Sequence, residues 1–207
     1  MAFLRERGTI RALIPAAGLS RRMGDFKPLL SLRGKTLIEN SVGSVLSGGA
    51  ESAVVVTGRR ADEVESVLRR AFGERVRFVR NPGHAVTDML RSVQLGAAAL
   101  PPCGAFFLLP GDMPAVAAST YAKLLAAWER EAASVIFPSI HGRRAHPPLI
   151  DARLIPEILA YDGGGGLRGL WARHEEGIRT VPVEDGGVWL DLDTPEDYQK
   201  CRERYET

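Results

Sequence analysis

The run Ile10-Arg11-Ala12-Leu13-Ile14-Pro15-Ala16 leads straight into Ala17-Gly18-Leu19-Ser20-Arg21-Arg22-Met23-Gly24-Asp25-Phe26-Lys27-Pro28. A short apolar segment that breaks into a glycine-containing basic loop reads as a buried strand followed by an anion-binding turn. Four more apolar runs follow, at 53–57, 75–79, 105–109 and 134–137, each rich in Val, Ile, Leu or Phe. Amphipathic stretches separate them. Residues 36–47 place Leu37, Ile38, Val42, Val45 and Leu46 at helical spacing, and residues 61–72 do the same with Val64, Val67, Leu68 and Phe72. Residues 87–100 and 119–132 follow the same rule. Strand alternating with helix at this spacing predicts an α/β domain, Rossmann-like and doubly wound, with a mostly parallel sheet flanked by helices.

The chain has 207 residues and a net charge of +2, which fits one domain over residues 1–207 with a sizeable core. Near-neutrality argues against a nucleic-acid coat or a membrane-surface protein. The average conceals an asymmetry, however. Residues 1–35 hold eight Lys or Arg against two acids, and the remainder holds nineteen against twenty-three. The positive excess coincides with the opening loop. Two cysteines, Cys103 and Cys201, make no CxxC pair and no disulfide framework, so a reducing compartment is expected. No apolar run resembles a signal peptide or a membrane span, and a cytoplasmic location is expected.

The alternation fades after Pro138. The pairs Pro101-Pro102 and Pro147-Pro148 interrupt any helix through them. The four glycines 163–166 read as a loop tip. Residues 188–192 read as a last strand, with Asp191 and Asp193 on one face, before Thr194-Pro195-Glu196-Asp197 opens a terminal helix.

Three segments could carry chemistry. In the opening loop, Gly18 and Gly24 allow tight turns that expose backbone N–H groups, Ser20 adds a hydroxyl, and Arg22 and Lys27 add charge. Together they suit a phosphate chain, although an exposed basic loop would show the same residue types. Leu109-Pro110-Gly111-Asp112-Met113-Pro114 places a carboxylate just past the end of a buried strand, at the sheet edge where α/β proteins bind ligands. Asp112 there suits a hard cation such as Mg²⁺, or is an ordinary turn residue. Asp193 is a second oxygen ligand or a helix-entry residue.

Other chemistries fit poorly. Gly18 to Gly24 is not a GxGxxG fingerprint, and Gly34-Lys35-Thr36 lacks the upstream glycine of a Walker loop. His84, His141, His146 and His174 make no zinc motif, and no GxSxG elbow occurs. Trp128, Trp171 and Trp189 are too scattered for a base-stacking platform and read as core or cover.

Taken together, these segments resemble the MobA-like nucleotidyltransferase family, most closely its molybdenum cofactor cytidylyltransferase branch. Residues 16–27 match the family's A-A-G-x-S-x-R-M-G-x-x-K at every fixed position. Asn81-Pro82 with Ser92-Val93, Gly111-Asp112-Met113-Pro114, His146-Pro147 and residues 191–197 match later motifs. Three places depart from the pattern. Asp88 and Ala145 stand where the family usually has Gly, and the acid of the late glycine motif is displaced to Asp162.

The resemblance implies transfer of CMP from CTP to a phosphorylated acceptor, molybdopterin in this branch, with release of pyrophosphate and dependence on Mg²⁺ or Mn²⁺. It implies catalytic roles for Arg22, Lys27 and Asp112, with Asp112 and Asp193 as metal ligands. Ala16, Ala17, Gly18, Ser20, Gly24, Thr57, Gly58 and Ser92 would contact the nucleotide, and His146 and Arg168 the acceptor. The methyl of Ala17, where the guanylyl branch has Gly, would crowd a purine and favour CTP. Two other readings stay open. One is the same chemistry on another pair, GTP with molybdopterin or CTP with a sugar or polyol phosphate. The other is a nucleotide-binding assembly factor without turnover. The partners implied are small molecules, with docking to a molybdoenzyme or its maturation factor and a monomer or homodimer as the oligomeric state.

Overall fold

The computed structural model describes residues 8–18, 23–190 and 192–205. The chain runs β1 (Ile10–Pro15), β2 (Ser31–Leu32), β3 (Lys35–Thr36), α1 (Leu37–Ser47), β4 (Ser52–Thr57), α2 (Ala61–Phe72) and β5 (Val76–Arg80). It continues with α3 (Met89–Ala98), β6 (Ala105–Leu108), α4 (Ala118–Arg130), β7 (Val135–Ile140), β8 (Arg143–Arg144) and β9 (Leu149–Asp151). It ends with α5 (Ile155–Ala160), α6 (Gly166–Arg173), β10 (Ile178–Pro182) and α7 (Pro195–Tyr205). The five apolar runs expected as strands form β1, β4, β5, β6 and β7, and the four amphipathic stretches form α1 to α4.

The main sheet has the order β10-β7-β9-β6-β1-β4-β5, with β8 attached to β7. Pairing is parallel for β1 with β4 and β6, for β4 with β5 and for β7 with β10. Strand β9 runs antiparallel between β6 and β7. Alternate residues of the central strands face opposite layers. Ala12, Ile14, Val55 and Phe107 pack with Ile38, Val42, Leu68, Tyr121 and Leu124 of α1, α2 and α4. Leu13, Val54, Val56 and Phe106 pack with Leu90 and Val93 of α3, Ile158 of α5 and Leu170 of α6. Both sheet faces are therefore covered, which is why these strands lack polar alternation.

The chain winds from β1 outward through β4 to β5, then crosses by α3 to β6 on the other side of β1. The winding direction reverses between β1 and β6, and a crevice opens there beyond the strand ends. The ladder continues past both strands: Leu109 N donates to Leu13 O at 3.0 Å and Gly111 N to Pro15 O at 3.1 Å. Ser41 of α1 donates to the carbonyls of Gly111 and Leu37, at 3.0 and 3.1 Å. A Cβ on Gly111 would lie 2.8 Å from Ile38 Cδ1 and 2.9 Å from Ala16 Cβ, so the close approach requires glycine.

One expectation is corrected. Residues 188–190 are not part of a strand. A 3₁₀ turn spans Gly186–Trp189, with Asp185 accepting from Gly187 N at 2.9 Å. The same carboxylate accepts from Ala117 N at 2.8 Å and Thr120 Oγ1 at 2.7 Å, so it caps α4 from 65 or more positions away. Gly34-Lys35 lies in the tight β2–β3 hairpin that leads directly into α1. Arg33 and Gly34 sit in its left-handed positions, with φ of 54° and 71°.

The terminal helix forms as expected. Thr194 Oγ1 accepts from Asp197 N at 3.2 Å while Asp197 accepts from Thr194 N at 3.0 Å, a reciprocal cap. Its Cys201 packs with Leu192, Leu32 and Leu37, which returns residue 193 to the β1 end of the sheet. Among the described residues, no helix is long and apolar enough to cross a membrane.

Candidate active site

The opening loop and the loop after β6 meet at the crevice. Lys27 opens a single 3₁₀ turn, Lys27–Leu29, and its side chain is only 7% exposed. Its Nζ lies 2.8 Å from Asp112 Oδ2 and 3.1 Å from Asp193 Oδ1. A nearly buried ammonium must keep charged partners, because desolvation without them is costly. The carboxylates are more open, at 29% and 34% exposed. They converge on one cation from two parts of the chain.

A cavity of about 230 Å³ opens over this cluster, lined by Ala16, Gly18, Lys27, Gly111, Asp112 and Asp193 among others. Lys27, Asp112, Asp193, Ala16 and Gly18 are thus brought together. Ser20, Arg22 and Asp191 lie outside the described residues. Gly24 has φ of 69° and nothing within 4 Å of a Cβ position, which makes it a turn residue of the loop.

The candidates for base and ribose contact are placed differently. Thr57 is 1% exposed, and its hydroxyl donates to Glu65 at 3.1 Å. Glu65 in turn accepts from Arg80 Nε at 2.8 Å, and this bond holds its carboxyl below the usual range against the opposing effect of burial. The Thr57 hydroxyl is therefore spent on a packed network and not presented to the crevice. Ser92 is 5% exposed and accepts from Asn81 Nδ2 at 3.2 Å. Asn81 also donates to Thr87 and accepts from Gly83 N, so it organises the loop before α3. Ala17 is buried as well. A Cβ on Gly58 would meet Ala17 O and the His84 side chain at 2.8 Å, so Gly58 lets β4 close against the opening loop.

His146 and Arg168 line a second cavity of about 720 Å³ together with Met89, Arg144 and Trp171. A third, of about 550 Å³, runs from Asp112 and Asp193 to His146, Arg143 and Trp189. Burial lowers the pKa of His146 below the usual histidine range, with nearby Asp112 pulling the other way. Its buried Nδ1 has no hydrogen-bond partner among the described residues. Gly166 opens α6 and lines the second cavity with Gly165, so the glycine run is a helix entrance.

Two of the three departures from the family pattern, Asp88 and Asp162, have local explanations. Asp88 has φ of −82° and caps α3 by accepting from Arg91 N at 3.1 Å, so no glycine is needed there. Asp162 accepts from Gly164 N at 3.2 Å, in a turn of its own. Met89, half-exposed at the start of α3, lines all three cavities. Sequence reasoning passes over it, because a methionine opening a helix carries no chemical signal.

A sheet that reverses at β1/β6, with a lysine and two carboxylates in the crevice, is an arrangement for handling phosphates. Residues 12–178 match the MobA-like NTP transferase domain, and the chain belongs to that family of nucleotidyltransferases. It is 28% identical over 198 residues to the molybdenum cofactor cytidylyltransferase of Escherichia coli (strain K12), covering 95% of this chain and 97% of that protein. It is 29% identical over 194 residues to the nicotine blue oxidoreductase of Paenarthrobacter nicotinovorans, covering 90% and 93%. A nucleotidyl transferase structure from Methanothermobacter aligns with a TM-score of 0.80 at 28% identity, covering 96% and 98%. The first two of these relatives, of nearly equal identity, carry names from different reaction classes.

Proposed function

We propose that the protein transfers CMP from CTP to the phosphate of a small acceptor, molybdopterin or a close relative, releasing pyrophosphate. The observation that carries this reading is the convergence of Lys27, Asp112 and Asp193 beside Ala16 and Gly18. The similarity to a molybdenum cofactor cytidylyltransferase over nearly the whole chain supports the choice of nucleotide and acceptor.

The two carboxylates already surround a cation, and their oxygens suit Mg²⁺ or Mn²⁺. Asp112 and Asp193 would hold the ion, which when bound supplies charge neutralisation on the triphosphate and polarisation of its α-phosphate. The chain's own groups do the rest. Lys27, Arg22, Ser20 and the N–H groups around Gly18 hold the triphosphate and stabilise the charge that gathers on departing pyrophosphate. The acceptor phosphate attacks the α-phosphorus in line from the side of His146 and Arg168. A phosphate monoester is already largely dianionic at neutral pH, its second pKa being about 6, so no general base is required. Burial disfavours the charged form of His146, in keeping with that economy.

Pyrophosphate release is measured with CTP, GTP, ATP and UTP, with molybdopterin as acceptor and Mg²⁺ present. Turnover with CTP alone supports the reading. Turnover with GTP and not CTP overturns the base assignment, and nucleotide binding without any pyrophosphate overturns the transferase.

A further inference from the structure

We propose that Arg143 and Trp189 form a recognition pair for the acceptor, which rests on the transferase reading above. Arg143 takes the acceptor's phosphate monoester, and Trp189 packs against a flat ring system that the acceptor carries.

Trp189 is 44% exposed, whereas Trp128, on a helix facing the main core, is 4% exposed. An indole left open in a cavity wall is a large flat surface waiting for a partner. Its position is fixed. Val188 beside it is fully buried, and Val188 O accepts from His146 N at 3.2 Å. The 3₁₀ turn that carries Trp189 is therefore tied to the segment that carries His146.

Arg143 reaches the same cavity through the β7–β8 hairpin. His141 and Gly142 make its turn, at φ of 50° and 75°, and Ile140 pairs with Arg143. Successive residues of a strand point to opposite faces. Arg144 turns toward Phe137 and forms a two-pronged ion pair with Glu175, at 2.5 and 3.1 Å. Arg143 turns the other way, with its guanidinium 5.5 Å from the centre of the Trp189 ring. Among the described residues no carboxylate lies within ion-pair distance of it. Arg144 is thus neutralised, while the contact that holds Arg143 is an aromatic face.

The third cavity joins this pair to Asp112 and Asp193. A guanidinium without an acid beside it, in a pocket that also holds two carboxylates, has one obvious complement. That complement is a dianionic group that must approach those carboxylates and their cation. The planar fork of Arg matches a phosphate in a bidentate manner. The adjoining indole selects acceptors whose phosphate is attached to a flat heteroaromatic body over those built on a sugar or polyol.

The experiment compares the wild type with Arg143→Ala, Arg143→Lys, Trp189→Ala and Trp189→Phe. All four changes lie at exposed side chains, and circular dichroism checks folding. Calorimetry measures molybdopterin binding without nucleotide, and pyrophosphate release gives KM for molybdopterin and for CTP. Arg143→Ala and Trp189→Ala are expected to raise both the Kd and KM for molybdopterin about tenfold or more, and to leave the KM for CTP within about twofold. Arg143→Lys is expected to keep part of the wild-type affinity, and Trp189→Phe most of it. Unchanged molybdopterin Kd in both alanine variants, or a parallel rise in KM for CTP, overturns the pair. Failure of the wild type to bind molybdopterin overturns it too. Arg143-dependent binding in a wild type that releases no pyrophosphate from CTP overturns the transferase reading and leaves the pair standing.

Discussion

Lys27 and Asp112 stand 85 positions apart in sequence and meet with Nζ 2.8 Å from Oδ2. The meeting is built into the sheet. Asp112 follows Gly111, whose N–H bonds to Pro15 O at the end of β1, and Lys27 lies on the loop that leaves β1. Adjacent central strands therefore hold the amine and the acid in register.

Asp112→Ala is expected to abolish turnover, with a fall in kcat/KM of at least about a hundredfold, because a carboxylate is lost where charge must be controlled. The side chain is partly open, so the fold should survive. Steady-state kinetics with far-UV circular dichroism tests both halves. Undiminished turnover would show that Asp112 does not serve the reaction.

Lys27→Ala is expected to cost transition-state stabilisation of about 2–4 kcal/mol, as for removal of one preorganised donor. It also leaves Asp112 and Asp193 facing each other without the ammonium. A change in kcat/KM of less than about threefold would reduce Lys27 to a structural ion-pair partner.

Gly58→Ala is expected to destabilise the protein by about 1–3 kcal/mol, as overpacking does. The new methyl would press on Ala17 O, a backbone atom that cannot rotate aside. The opening loop must then shift, so KM for CTP should rise as well. Urea unfolding and nucleotide kinetics report the two effects separately.

Glu65 links stability to pH. Its folded-state pKa lies below its ordinary value, chiefly through the bond from Arg80. The stabilisation is therefore complete above the unfolded value of about 4.5 and is lost as pH falls through the lower folded value. Glu65→Gln should be less stable than the wild type near neutrality, and the gap should narrow on acidification below about pH 4.5. Urea midpoints measured from pH 7 to pH 3 test this, and a gap that widens on acidification would contradict the assignment.

Base choice is expected to reside at Ala17. Ala17 is buried between the cavity-lining residues Ala16 and Gly18, and on the proposed preference for CTP the substitution Ala17→Gly should lower the ratio of kcat/KM for CTP over GTP by about tenfold. An unchanged ratio would place base selection elsewhere in the loop.

The central half of the fold is legible in the sequence because its strands are continuous apolar runs and its helices carry unbroken amphipathic stripes. Helix α2 matches the expected 61–72. The outer half is less legible. Strands β8 and β9 have two and three residues, too few to show a period. The 3₁₀ turn over Gly186–Trp189 reads as a strand because Val188 is apolar and buried, while the interaction that bends the chain comes from Asp185. The motif residues Lys27, Asp112 and Asp193 can be named because their types suit phosphate and metal. The structural duty of Thr57 cannot, since it depends on Arg80 and Glu65 folding against it. Trp189 reads as core or cover for want of any local sign that its ring is left open.

On the proposed reading, the sheet order gives the nucleotide and the acceptor separate foundations. Strands β5, β4, β1 and β6 carry the opening loop and Asp112, while β7, β8 and β10 with their loops carry Arg143, Arg144 and Trp189. The antiparallel strand β9 is the seam between them. On that reading, changes confined to β7 and β8 would redirect the protein toward a new acceptor and spare the nucleotide half, whereas the loop after β10 carries both Trp189 and Asp193 and serves both halves. The single sheet is thus divided at β9 and rejoined by that one loop.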